Sequence, residues 1–150
     1  PPPPPPPPPF SLTRRPPRST PVTPRRQRQM CIRDRPARSG DAYLRFIPRT
    51  EMDIAVVSAG VNLTLERGRI KSARVVLGAV APTAVLVPAA ARAIVGSKLD
   101  EDALNKLAAA CSAACNPIDD KRGTIEYRTK VAGVLGKRAA KIAFRRAGGA

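Results

Sequence analysis

Three patterns in this 150-residue chain are of a kind that does chemistry: Cys111 and Cys115, four apart; the adjacent acids Asp119 and Asp120; and the cations Arg128, Lys130, Lys137, Arg138, Lys141, Arg145 and Arg146. Thiols at i and i+4 share one face of a helix, where they can meet a metal or be oxidised together. Zinc and iron–sulfur sites need four ligands. The chain has no histidine, and no second cysteine pair or acidic cluster stands beside these two, so they read as buried apolar thiols and no metal is assigned. Two adjacent carboxylates can hold a divalent cation. In Asp119-Asp-Lys-Arg-Gly123 the favoured reading pairs Asp119 or Asp120 with Lys121 or Arg122, which orients the loop into the helix that follows. Helical spacing spreads the late cations around a solvated polar side. Gly60, Gly68, Gly78 and Gly96 are too far apart for a dinucleotide fingerprint and serve turns, a strand kink and a helix end. No catalytic residue is assigned.

The elements that position these groups occupy only part of the chain. Fourteen of the 18 prolines fall in residues 1–36, which also carry eight arginines and one acid, Asp34. Their few large apolar residues cannot offset the entropy of ordering, so residues 1–36 are expected to be a disordered Pro/Arg-rich segment. On composition alone they suit a polyproline ligand or a nucleic-acid arm. The strings Pro9-Phe-Ser-Leu-Thr-Arg-Arg-Pro-Pro-Arg-Ser-Thr20 and Arg28-Gln-Met-Cys-Ile-Arg-Asp-Arg35 also look like conceptual translation of sequencing-adapter DNA, which would make the segment artefactual. No signal peptide is evident. The most apolar stretch, Val75 to Gly96, is broken by Pro82, Pro88 and Arg92, so no membrane span is expected and cytoplasm is the default.

Residues 51–147 are expected to form one α+β domain. Val57, Ala59, Val61, Leu63 and Leu65 alternate with Ser58, Gly60, Asn62, Thr64 and Glu66, the period of a strand with one wet face. Ile54 and Val56 have the other parity, which calls for a bulge or a doubly buried start near Val56 and Val57. Glu66-Arg-Gly-Arg69 turns the chain into a second strand over Ile70 to Val80, and Ala84 to Val87 can pair as a third. Pro88 starts a short helix ending at Gly96. Asp100 reads as the N-cap of a helix burying Leu104, Leu107, Ala108, Cys111 and Cys115. A last helix runs from about Ile125 to Arg146 with Tyr127, Val131, Val134, Leu135 and Ile142 inward. About three antiparallel strands followed by about three helices argue for helices packed on one face of a sheet.

The run Tyr43-Leu-Arg-Phe-Ile-Pro-Arg-Thr-Glu-Met-Asp-Ile-Ala-Val-Val57 resembles the start of the C-terminal domain of the FAD-binding (medium) subunit of molybdenum hydroxylases, the family of xanthine dehydrogenase and aerobic carbon monoxide dehydrogenase. Gly78-Ala-Val-Ala-Pro-Thr83, Gly96-Ser-Lys-Leu-Asp100 and Pro117-Ile-Asp-Asp-Lys-Arg-Gly-Thr-Ile-Glu-Tyr-Arg128 continue the resemblance in order. The resemblance implies a fragment of an electron-transfer subunit with FAD as cofactor, which covers the flavin and docks a molybdopterin-binding large subunit and an iron–sulfur small subunit. It implies that residues 37–50 are a linker from a missing FAD domain. By that resemblance Arg45 takes the role of the cation at the pyrimidine edge of the flavin, with Tyr43 and Phe46 as neighbours, while the glycine loops expected of the family's flavin domain are absent from this chain. The alternative is a small basic nucleic-acid-binding module using the arginine-rich tail and the last helix. Aromatics suited to base stacking are nearly absent from that basic face, and the reading adopted has no nucleic-acid partner.

Overall fold

The structure, a computed structural model, describes residues 37–49 and 53–149. The expectations for residues 1–36 lie outside that range. Strands β1 (Ser39–Phe46), β2 (Val57–Glu66), β3 (Arg69–Gly78) and β4 (Val85–Leu86) form one antiparallel sheet in chain order. Helices α1 (Pro88–Ile94), α2 (Glu101–Ala113) and α3 (Ile125–Arg146) follow. Helix α3 lies on β1 and β2, α1 lies on β3, and α2 packs between the two helices. Among the described residues, no helix is long and apolar enough to cross a membrane.

The β2–β3 hairpin forms where the alternation places it. Val57, Ala59, Val61, Leu63 and Leu65 are buried, and Val56 and Val57 are both fully buried, so the doubly buried start is the form taken. The bulge sits at the far end, where Thr64 pairs with Ser72 but Leu65 with Ile70. The turn between the strands holds Arg67 at φ 51° and Gly68 at φ 77°, the pair of left-handed residues that matches the twist of a two-residue hairpin. Pro88 opens α1, and Gly96 at φ 84° lets the chain turn away after it. Asp100 does occupy the N-cap of α2, but its side chain makes no cap bond; Thr124 caps α3 by accepting the N–H of Tyr127 at 3.2 Å.

Two sequence expectations need correction. Residues 39–46, read as part of a linker, form strand β1, paired with β2 from Ser39–Thr64 to Phe46–Val57. Its inward positions begin with Gly40 and Ala42, not large apolar residues, because α3 passes directly beneath. A Cβ on Gly40 would overlap backbone atoms of Ala143 and Ala147. The second correction concerns α3. Tyr127 and Val134, expected inside, are 44% and 48% exposed, while the buried face is Arg128, Ala132, Gly133, Leu135, Gly136, Ala139, Ala140, Ala143 and Phe144. Close approach explains the choice of small residues. A Cβ on Gly133 would stand 2.9 Å from Ser112 Oγ, and one on Gly136 would stand 3.0 Å from Cys111 Sγ.

Candidate functional site

The pleat of β1 puts Tyr43 and Arg45 on the same face of the sheet, the one without helices. Both are exposed, Tyr43 at 65%. Tyr43 lies opposite Gly60 and Arg45 opposite Ser58. A Cβ on Gly60 would meet only the Tyr43 ring, at 3.7 Å, so the surface there is backbone and aromatic ring. A depression of about 530 Å³ begins at Tyr43 and Gly60 and extends to Asn62, Arg74, Val76 and Arg146. Arg146 also reaches under the sheet edge to donate to the carbonyl of Asp41 at 2.9 Å. Phe46, expected beside Arg45 and Tyr43, has the opposite parity. It packs edge-on against Tyr127 at the head of α3, with ring centroids 6.2 Å apart.

The end of β1 that carries Arg45 is fixed from below. Val56 N–H donates to Phe46 O at 2.9 Å, closing the β1–β2 connection. Arg128, buried at 4% exposure, then donates from Nη1 to Val56 O at 2.7 Å and to Ala79 O at 3.4 Å. Its Nε donates to Gly123 O at 3.3 Å, and its Nη2 meets Asp120 Oδ1 at 2.7 Å. One guanidinium thus ties the start of β2, the segment after β3 and the loop before α3 to the helix. The Arg128 hydrogen bond, with the Arg122 N–H, holds the Asp120 carboxyl below its ordinary range.

Asp53, in the β1–β2 connection, forms a second knot. Its Oδ1 accepts the N–H of Ile54 at 2.8 Å and its Oδ2 that of Arg49 at 3.1 Å, with the guanidiniums of Arg49 and Arg122 at 3.6 and 3.7 Å. Burial pushes this carboxyl up, but the two N–H donors and the two cations outweigh that, and its pKa lies below the ordinary value.

Asp120 therefore takes Arg128 as its charged partner, while Arg122 reaches across to Asp53; of the expected loop pairing, only the Arg122 backbone N–H goes to Asp120. Arg128 is the functional-site residue that the sequence reading missed, having placed it on the solvated face. One signal was available: a cation in the first turn of a helix opposes the helix dipole and implies a specific partner. Other cations on α3 are engaged too. Lys137 and Lys141 flank Glu101 of α2 at 3.5 and 3.7 Å, and Lys130 pairs with Glu126 at 2.7 Å. Cys111 is buried, and its thiol is pushed up to about 12 by burial, then by its neighbour Cys115, whose Sγ donates to Cys111 O at 3.1 Å. These are packing thiols.

The family model described as the CO dehydrogenase flavoprotein C-terminal domain matches residues 42–143. The carbon monoxide dehydrogenase medium chain of Afipia carboxidovorans is 39% identical over 112 residues, covering 75% of this chain and 38% of that relative. That of Hydrogenophaga pseudoflava is 31% identical over 108 residues, covering 72% and 37%. Among solved structures, reconstituted CO dehydrogenase from Oligotropha carboxidovorans matches with a TM-score of 0.71 at 38% identity, over 75% of this chain and 39% of that one. The chain thus spans less than two fifths of the length of the curated relatives it matches.

Proposed function

Because the chain belongs to the CO dehydrogenase flavoprotein C-terminal domain family, we propose that it is the flavin-covering domain of an FAD-carrying electron-transfer subunit in a molybdenum hydroxylase. The subunit works in the cytoplasm beside a molybdopterin-binding large subunit and an iron–sulfur small subunit. The observation that carries the reading is the pairing of Tyr43 and Arg45 on the helix-free sheet face, anchored through Phe46 and Val56 to Arg128.

An exposed cation, an exposed aromatic ring and a bare glycine backbone suit edge contact with a planar ring that carries negative charge. They do not make a phosphate-binding loop, so FAD would be held mainly by residues outside this domain. When bound, FAD supplies the electron-carrying chemistry. Arg45 contributes a fixed positive charge at the pyrimidine edge, Tyr43 covers and orients, and the Arg128 clasp keeps both in place. Proton transfer has no candidate among these residues, so the role of the domain is positional. The basic binding-module alternative is disfavoured by the family match, and on its proposed face Arg128 is buried while Lys137 and Lys141 hold Glu101.

A chimera tests this reading. Residues 37–149 would replace the matching part of the Afipia carboxidovorans medium chain, and visible flavin absorption of the purified subunit would be compared with the parent's. Retention of one FAD per subunit is expected. A folded chimera that fails to retain FAD would count against the assignment.

A further inference from the structure

Strand β3 has one edge paired with β2 and the other only partly covered. Toward its C-terminal end Val76 and Leu77 pair with β4, and Val75 O accepts the N–H of Val87 at 2.9 Å. Toward its N-terminal end Ile70 N–H donates to Ser97 O at 3.0 Å and Ile70 O accepts from Gly96 at 2.7 Å, with Arg69 Nη1 on Gly96 O at 3.1 Å. Between these two attachments the chain leaves the edge as α1.

In an antiparallel strand the residues whose backbone groups face a given edge alternate. Val75 faces this edge, so Ala73 does too. Among the described residues nothing pairs with the N–H and C=O of Ala73 on that side. They open into a groove of about 360 Å³ between β3 and α1, whose walls include Leu86, Ala91, Val95, Arg74 and Arg92. Leu86 and Val95 are 57% and 44% exposed. Arg74 and Arg92 are exposed and have no carboxylate partner among the described residues, whereas Lys71 at the groove's end is paired with Glu66 at 3.1 Å.

We propose that this gap receives an extended, carboxylate-bearing segment of a partner protein, which adds as a short strand at Ala73 while its acidic side chains meet Arg74 and Arg92. Charge complementarity selects the occupant: two uncommitted cations flank an apolar wall and a strand edge that presents one donor and one acceptor. A helical partner satisfies its own backbone and would leave Ala73 unpaired. The gap from Ile70 to Val75 spans roughly 16 Å at the rise of a strand, room for about four residues. The gap lies on a different edge of the sheet from β1, and Arg74 stands between it and the far end of the depression that begins at Tyr43.

The probe is a fluorescein-labelled eight-residue peptide alternating glutamate and valine, titrated by polarisation against the full 150-residue chain. Binding is expected. Arg74→Glu combined with Arg92→Glu should weaken it by about tenfold or more. N-methylation of every peptide nitrogen in the probe, which removes all edge donors without altering the protein, should weaken it by a similar factor. The proposal fails if the peptide does not bind, or if either change leaves its affinity intact. Affinity that survives the arginine reversals would mean that other cations of the chain hold the peptide, and affinity that survives N-methylation would mean that no strand is added.

Discussion

Replacing Arg128 by alanine removes the single group that joins four segments of the fold. The carbonyl of Val56, a fully buried residue, then loses its 2.7 Å donor, and an unpaired buried acceptor costs about 1–3 kcal/mol. The bonds to Gly123 O and Ala79 O are longer, at 3.3 and 3.4 Å, and add less. Asp120 is 29% exposed and can turn toward water, so its lost partner is discounted. With the packing of the aliphatic stem included, the sum is on the order of 2–4 kcal/mol. A domain of this size moves by roughly 4–8 °C per kcal/mol, so Tm should fall by about 8–32 °C. Thermal unfolding followed by far-UV circular dichroism measures this directly. Arg128→Lys should recover only part of the loss, because an ammonium cannot span the Val56 and Asp120 acceptors as the planar fork does. A Tm for Arg128→Ala within about 2 °C of the parent, against the shift expected from that scale, would show that the clasp holds nothing together.

The remaining predictions concern acid, packing and close approach. Asp53 and Asp120 both have folded pKa values below the ordinary one, so their contribution is present above the unfolded carboxylate range, near 4, and is lost as pH falls through the lower folded values. Tm should therefore drop at acid pH, and Asp53→Asn with Asp120→Asn should flatten that dependence; an unchanged acid slope would contradict the assignment. Leu107→Ala should cost about 2–5 kcal/mol by urea unfolding, because Leu107 is fully buried, whereas Val134→Ala should lie within about 0.5 kcal/mol of the parent. Equal losses at both positions would mean that the face of α3 is misassigned. Gly40→Val should destabilise by more than 1 kcal/mol, roughly the lower bound for overpacking, since its Cβ would overlap the backbone of α3, and a neutral result would show that β1 and α3 can separate freely.

The elements legible in the sequence were those announced by large side chains or special backbones. The hairpin of β2 and β3 follows from Val57 to Leu65 and from Gly68, and helix limits follow from Pro88, Gly96 and Asp100. What escaped was packing by small residues. Gly40 and Ala42 made β1 look like a linker because a strand that lies against a helix backbone needs no large apolar groups. On α3 the stripe through Ala132, Gly136, Ala139 and Ala143 carries little hydrophobic contrast, so Tyr127 and Val134 drew the inward face to the wrong phase. Arg128 escaped for another reason: its strongest backbone acceptor is 72 residues away, at Val56. At the candidate site, Tyr43 and Arg45 could be named from the order of residues around Asp53-Ile-Ala55. Their common face, and the departure of Phe46 to the other, required the pairing with β2.

The claim that this domain sets a positive charge against the flavin is tested most directly by the redox potential of the FAD-bearing chimera with and without Arg45→Glu. Reversing the charge beside a ring that becomes more negative on reduction should lower the midpoint potential, by on the order of 30 mV if the change in interaction is near 1.4 kcal/mol for a two-electron couple. Arg45→Lys should stay close to the parent. FAD that remains bound at an unchanged potential in Arg45→Glu would contradict the account, because Arg45 would then stand away from the ring.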